Sequence, residues 1–244
     1  MENTPAVPAR PLFPHWLVTF LQGLIVITLP VFLVLTSVRM VMSGTFLKIE
    51  YNRPGFPADR FGFTKEDRLK YAPYAVDYLR NDAGISYLGD LTLDGESMYT
   101  PKELQHMADV KVVTRAAFTA HTGLTLALAV SMIGLGWRAA TRRALRRAWL
   151  NGGLLTIFLI VTVVVMALLS WDTFFTGFHR IFFEGNSWLF STSSTLIRLF
   201  PEQFWFDAAL AIGALTVLGA VAAIGTAWIW EARAQKATSP AQSE

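Results

Sequence analysis

Four stretches of the chain run apolar for about 20 residues each, the length an α-helix needs to cross some 30 Å of hydrocarbon. They begin "WLVTFLQGLIVITLPVFLVLTSV" and continue with "RAAFTAHTGLTLALAVSMIGLGW", "NGGLLTIFLIVTVVVMALLSW" and "FWFDAALAIGALTVLGAVAAIGTAWIW". The pattern predicts transmembrane helices over 16–38, 114–137, 150–171 and 204–230. The first run is too long for the apolar core of a signal peptide and lacks a small-x-small cleavage pattern, so it reads as a retained helix with Pro30 as a site for a kink. Trp16, Trp137, Trp171, Trp205, Trp228 and Trp230 mark span ends, as interfacial tryptophans do.

The polar segments carry structure too. Over 62–82, "GFTKEDRLKYAPYAVDYLRND", Thr64 and Asp67 have capping-box spacing. Tyr71, Tyr74 and Tyr78 then recur at helical intervals, and Pro73 predicts a kink or a split within that helix. The weak alternation of 85–95, ending in Asp-Gly, predicts a short strand and turn. "TPKE" at 100–103 supplies an N-cap threonine, a first-turn proline and a glutamate at the third position, so a helix starts at 101 and runs into the second span. The expected fold class is all-α integral membrane, with four transmembrane helices and a small extracytoplasmic cap of helices and a short strand/turn element.

Charge orients the bundle. The 138–149 segment between spans two and three holds five arginines, and short arginine-rich loops stay cytoplasmic. Residues 1–15, with Arg10, and the 231–244 tail, with Arg233 and Lys236, are then cytoplasmic, and "ATSPAQSE" at the end reads as disordered. The 39–113 cap and the aromatic 172–203 loop face outward. The expected location is a bacterial cell (inner) membrane, crossed several times, with the outer face carrying the chemistry.

Composition agrees: 53% of the 244 residues are hydrophobic and 16% charged, well below the charged fraction of soluble domains. The net charge of +3 gathers in one short segment rather than a nucleic-acid stripe. There is no cysteine, hence no disulfide, thiolate site or cysteine nucleophile. The chain has no GxSxG elbow, HExxH pair or phosphate loop, and two histidines without a third ligand make a weak metal site. No cofactor is expected.

Two of the four histidines fall on the outer side. In "ELQHMADVK", Glu103, His106 and Asp109 share a helix face, and His106 lies about 13 Å beyond Arg115 at 1.5 Å per residue. A carboxylate one turn away can orient an imidazole and raise its basicity. His179 follows the third span in "FHRIFFEGNSWLF", with Asp172 seven residues earlier and on the same face if the helix continues. His15 reads as an interface residue and His121, inside the second span, as a polar contact within the bundle.

Together, "ELQHMADVK", "FHRIFFEGNSWLF", "LIRLFPEQFW" and "GFTKEDRLKYA" resemble the family of small four-span bacterial membrane proteins that includes the lipoprotein intramolecular transacylase. The likeness runs from the first span to the fourth. It implies transfer of the sn-2 acyl chain of a diacylglyceryl lipoprotein to the amine of its own lipid-modified cysteine, with membrane lipid around the site. It also implies that His106 and His179 are the catalytic pair. On that reading His106 is the base, oriented by Asp109, and His179 the oxyanion donor, assisted by Arg180, Asn186 or backbone N–H groups. Glu103 and Asp172 support the pair. The family pattern carries an aspartate where this chain has "STSST" at 191–195. The competing expectation is a non-catalytic scaffold that binds a partner through its outer cap.

Overall fold

The computed structural model describes residues 14–238. Residues 1–13, including Arg10, and residues 239–244 of the expected tail lie outside the described part. Among the described residues, four helices are long and apolar enough to cross a membrane: α1 (His15–Val41), α5 (Pro101–Gly136), α6 (Ala139–Leu169) and α9 (Glu202–Thr238). Helix α6 packs against α1 and α9, and α1 packs against α5 and α9. Small residues set the spacing. A Cβ on Gly153 would stand 2.7 Å from Ile224 Cγ1 and 3.2 Å from the Ala220 carbonyl oxygen, so only glycine permits this α6–α9 approach. Polar residues inside the bundle satisfy each other: buried Thr216 donates to Ser37 Oγ at 3.0 Å. Leu126, Val130, Phe158 and Leu168 lie exposed along the spans, which suits helices bathed in lipid.

Between α1 and α5 the chain builds the cap. It contains α2 (Gly44–Asn52), α3 (Lys65–Arg80), the short helix α4 (Ser86–Gly89) and the hairpin β1 (Thr92–Leu93) with β2 (Glu96–Ser97), paired antiparallel. The expected Asp-Gly turn joins the two strands, with Asp94 at φ 54° and Gly95 at φ 86°, as a two-residue hairpin turn requires. The Thr64–Asp67 and Thr100–Glu103 capping boxes both form. Helix α3 runs unbroken through Pro73 rather than splitting there. Burial of Tyr71, Ala72, Ala75 and Tyr78 along its length offsets the hydrogen bond that the proline removes.

Two segments expected as loops are largely helical. The arginines of 138–149 occupy the first turns of α6, with only Arg138 outside the helix at its N-cap. The 172–203 segment holds most of α7 (Trp171–Phe182) and all of α8 (Thr195–Leu199). A break at Ser170, φ −157° and ψ 91°, separates α7 from α6. Helix α7 buries no residue fully and leaves Phe178, Ile181 and Phe182 exposed, the character of a helix lying in a bilayer interface. Helix α8 plugs into the cap core, where Leu196 and Leu199 are buried with Tyr51, Tyr99 and Met107. The Tyr51 hydroxyl donates to the Leu199 carbonyl at 2.9 Å.

Candidate functional site

The capping box that starts α5 fixes where its next turn points. Glu103 accepts from Thr100 N at 2.8 Å and Thr100 Oγ1 at 2.9 Å through one carboxylate oxygen, and from Leu196 N at 2.9 Å through the other. This buried carboxylate therefore ties the start of α5 to α8. Thr195 adds a second tie by donating to the Met98 carbonyl. The acid-free "STSST" stretch thus runs directly into a segment anchored by a carboxylate from another helix.

One turn along α5, in the portion that packs with the cap, His106 enters an aromatic nest. Its ring centroid lies 5.0 Å from Phe183 and 5.3 Å from Phe190. His179, on α7, stacks on Trp188 at 4.7 Å and packs against Phe175 at 4.1 Å and Phe183 at 5.9 Å. The two imidazoles therefore flank one phenyl ring, that of Phe183, which sits in extended backbone just past the end of α7.

Each ring has a distinct polar environment. His179 Nδ1 lies 2.8 Å from the Phe175 carbonyl oxygen. A carbonyl can only accept, so Nδ1 carries the proton and the neutral ring presents a bare Nε2. His106 Nδ1 is buried and has no hydrogen-bond partner, and the same is true of Trp188 Nε1. Both atoms therefore keep hydrogen-bonding capacity that a polar group brought between these rings could use. Desolvation dominates the electrostatics. Burial pushes the His106 pKa down from its ordinary 6.5 to about 4; nearby His179 and Lys102 push the same way, against Asp109. Burial also lowers the pKa of His179, opposed by its bond to the Phe175 carbonyl. Both rings are neutral at physiological pH.

The supporting residues separate. Glu103 is structural, engaged as described. Asp109 accepts from Gln105 Nε2 at 2.9 Å and makes no hydrogen bond to His106. Asp172, Arg180 and Asn186 are exposed, and none bonds to either imidazole. His121 meets the expectation of a contact within the bundle, bonding to Thr36 Oγ1 at 2.9 Å and stacking on Phe32. Sequence reading missed Phe183, Trp188, Phe190 and Lys102, whose Nζ donates to the Leu189 carbonyl at 2.7 Å. The aromatic density of 178–190 was the available signal. A cavity of about 620 Å³ opens nearby, lined by Arg60, Arg68, Trp171, Phe206 and neighbours but by neither histidine. Trp171 connects it to His179 through Phe175.

Among the described residues no group of three or more acidic, histidine or cysteine side chains could hold a metal ion.

A protein-family model described as "Lipoprotein intramolecular transacylase Lit" matches residues 23–205. A protein of Aquifex aeolicus (strain VF5), described only as uncharacterized, is 30% identical over 199 residues, spanning 80% of this chain and 87% of that one. The in meso structure of the lipoprotein intramolecular transacylase Lit from Bacillus cereus superposes with a TM-score of 0.76 at 17% identity, covering 92% of this chain and 100% of that one. Two variants of that protein, with a histidine replaced by arginine or alanine, superpose with TM-scores of 0.73 and 0.71, also at 17% identity, each covering 91% of this chain and 96% of that one. At this identity the likeness establishes the fold.

Proposed function

The chain belongs to the lipoprotein intramolecular transacylase (Lit) family, and from that membership we propose that it moves the sn-2 acyl chain of a diacylglyceryl lipoprotein to the α-amine of the same molecule. The histidine site faces the extracytoplasmic leaflet of the bacterial cell membrane, and both termini lie in the cytoplasm. The arginines of α6 support this orientation. The observation that carries the reading is the pair of buried, unpartnered polar atoms, His106 Nδ1 and Trp188 Nε1, on rings around a histidine with a bare Nε2.

The chemistry needs no nucleophile from the protein. The substrate's α-ammonium, with an ordinary pKa near 8, first loses one proton to bulk solvent. The free amine attacks the ester carbonyl carbon, and His179 Nε2 takes the second nitrogen proton as the C–N bond forms. The tetrahedral oxyanion accepts hydrogen bonds from Trp188 Nε1–H, a donor only, and from an N–H of neutral His106. The C–O bond to the glycerol then breaks and the imidazolium of His179 returns its proton to the leaving oxygen. The products are an amide and a free sn-2 hydroxyl.

This assignment makes His179 the base and His106 the donor, the reverse of the roles suggested by sequence, because the Phe175 carbonyl fixes the His179 tautomer. Holding amine and ester on one substrate supplies effective molarity, and the aromatic lining excludes water that would hydrolyse the ester. Substrate enters from the leaflet beside α7 by displacing the Phe183 and Phe190 rings.

The test is expression in a host lacking N-acylating activity, with mass spectrometry of its lipoproteins. Wild type should give N-acylated, monoacylglyceryl products, and His179→Ala should give none. Trp188→Phe keeps an aromatic ring but removes the N–H, so it should lower kcat by about 100-fold with little change in KM. Unmodified lipoproteins, with the wild-type protein present in the membrane, would sink the proposal. Full activity in Trp188→Phe would remove the indole from the mechanism.

A further inference from the structure

At the other end of the bundle, helices α6 and α9 flank an open cavity of about 430 Å³ that the acyl-transfer chemistry does not use. Its α6 lining runs from Arg143 to Leu150, while α6 ends at Leu169, so at 1.5 Å per residue the cavity lies roughly 30–40 Å from the α7 end. Just above it the Trp149 indole N–H donates to Thr226 Oγ1 at 3.0 Å, and Gly153 lets the helices touch. Arg143, Arg146 and Arg147 line the cavity together with a single acidic residue, Glu231.

These arginines do not neutralise each other's surroundings equally. Arg146 is committed: its Nε donates to Glu231, and its guanidinium lies over the Trp230 ring at 5.7 Å. Arg143 and Arg147, one helical turn apart, are exposed and make no hydrogen bond or ion pair among the described residues. Three guanidinium groups thus share one carboxylate, Glu231, which Arg143 reaches only through space, and the N–H donors of Arg143 and Arg147 remain for a tetrahedral anion. Toward the bilayer centre the same face of α6 continues with exposed Leu154 and Phe158, and exposed Trp228 borders the cavity at headgroup level.

We propose that this cavity is a binding site for the phosphodiester headgroup of an anionic phospholipid in the leaflet opposite the histidines. The phosphate sits between Arg143 and Arg147, and the acyl chains lie along α6 over Leu150, Leu154 and Phe158. Arg146, held by Glu231, forms the wall rather than the grip. A basic pocket between membrane helices with an apolar run beneath it matches this ligand in charge and in shape. A soluble phosphate would use the arginines but not the apolar run.

The experiment is native mass spectrometry of the full chain in detergent, titrated separately with phosphatidylglycerol, phosphatidylcholine and inorganic phosphate. Wild type should retain phosphatidylglycerol about tenfold more tightly than phosphatidylcholine. Arg143→Gln/Arg147→Gln should lose that preference. Arg142→Gln/Arg233→Gln removes the same charge from exposed positions outside the cavity lining and should keep it. Unfolding midpoints in phosphatidylcholine nanodiscs report whether each variant is folded, and Arg147→Lys, which keeps charge but loses the planar fork, should retain an intermediate preference. Equal loss in both double variants would overturn the proposal in favour of general surface attraction. Inorganic phosphate binding as tightly as the lipid, or no preference in wild type, would overturn it as well.

Discussion

Glu103→Ala gives the most direct test of how the site is held. The side chain is 1% exposed and accepts three hydrogen bonds: two from Thr100 and one from the backbone of Leu196. Losing the reciprocal cap costs about 1 kcal/mol. Leaving the Leu196 N–H buried without an acceptor costs about 1–3 kcal/mol more. The expected destabilisation is therefore about 3 kcal/mol. Glu103→Gln keeps one acceptor oxygen, but its NH2 group must then face either the Thr100 donors or the Leu196 N–H, so about 2 kcal/mol is expected.

Asp109→Ala supplies the contrast from the same helix, since its one hydrogen bond is to Gln105 on the surface and the His106 ring it acts on through space is neutral at neutral pH, so it should cost less than about 0.5 kcal/mol. Reversible unfolding by SDS titration in mixed micelles, followed by far-UV circular dichroism, measures all three. The Leu196 tie also holds the segment after Phe190, so Glu103→Ala should loosen the ring that covers His106 and depress acyl transfer. A cost below about 1 kcal/mol for Glu103→Ala, or equal costs at Glu103 and Asp109, would refute the reasoning.

Gly153→Val should destabilise the bundle by about 1–3 kcal/mol in the same titration, because its Cβ meets Ile224 at 2.7 Å and the Ala220 backbone at 3.2 Å; an unchanged midpoint would show that α6 and α9 can slide apart freely. For His106, burial favours the neutral ring in the folded protein. The stability that follows is complete above the ordinary pKa of 6.5 and is lost as pH falls from there toward about 4. NMR of the labelled imidazoles, assigned with His106→Asn, should place the His106 midpoint well below the ordinary 6.5, and a midpoint at the ordinary value would contradict the burial described here.

The spans were readable because about 20 apolar residues leave few alternatives, and the start of α5 was readable because Thr100, Pro101 and Glu103 state a helix N-terminus in local terms. The helical arginine stretch was harder. Arginine is a good helix former, and nothing between 139 and 150 breaks a helix, yet a dense run of charge resembles a solvated connection. The α6–α7 break is unmarked by glycine or proline: Ser170 simply turns the chain where the apolar run ends and the interfacial aromatics begin. At Pro73 a kink or a split was expected, and the split does not occur, since the lost hydrogen bond is outweighed by burial of side chains on both flanks.

The site shows where sequence spacing stops being informative. Spacing of three and four correctly placed Glu103, His106 and Asp109 on neighbouring turns, but it could not say which carboxylate served the imidazole. In the fold neither does so by hydrogen bond. Glu103 turns inward to bind α8, and Asp109 is taken by Gln105. What surrounds the histidines is aromatic. That choice has a chemical consequence: a carboxylate bonded to His106 would favour the imidazolium, whereas the Phe183, Trp188 and Phe190 rings keep both imidazoles neutral and ready to take or donate a hydrogen bond. An ester and an uncharged amine also enter an aromatic nest at less cost than an anionic one, because neither must be stripped of a counter-ion. The aromatic run after His179, which gives no familiar motif, is therefore the part of the sequence that sets the protonation state on which acyl transfer would depend.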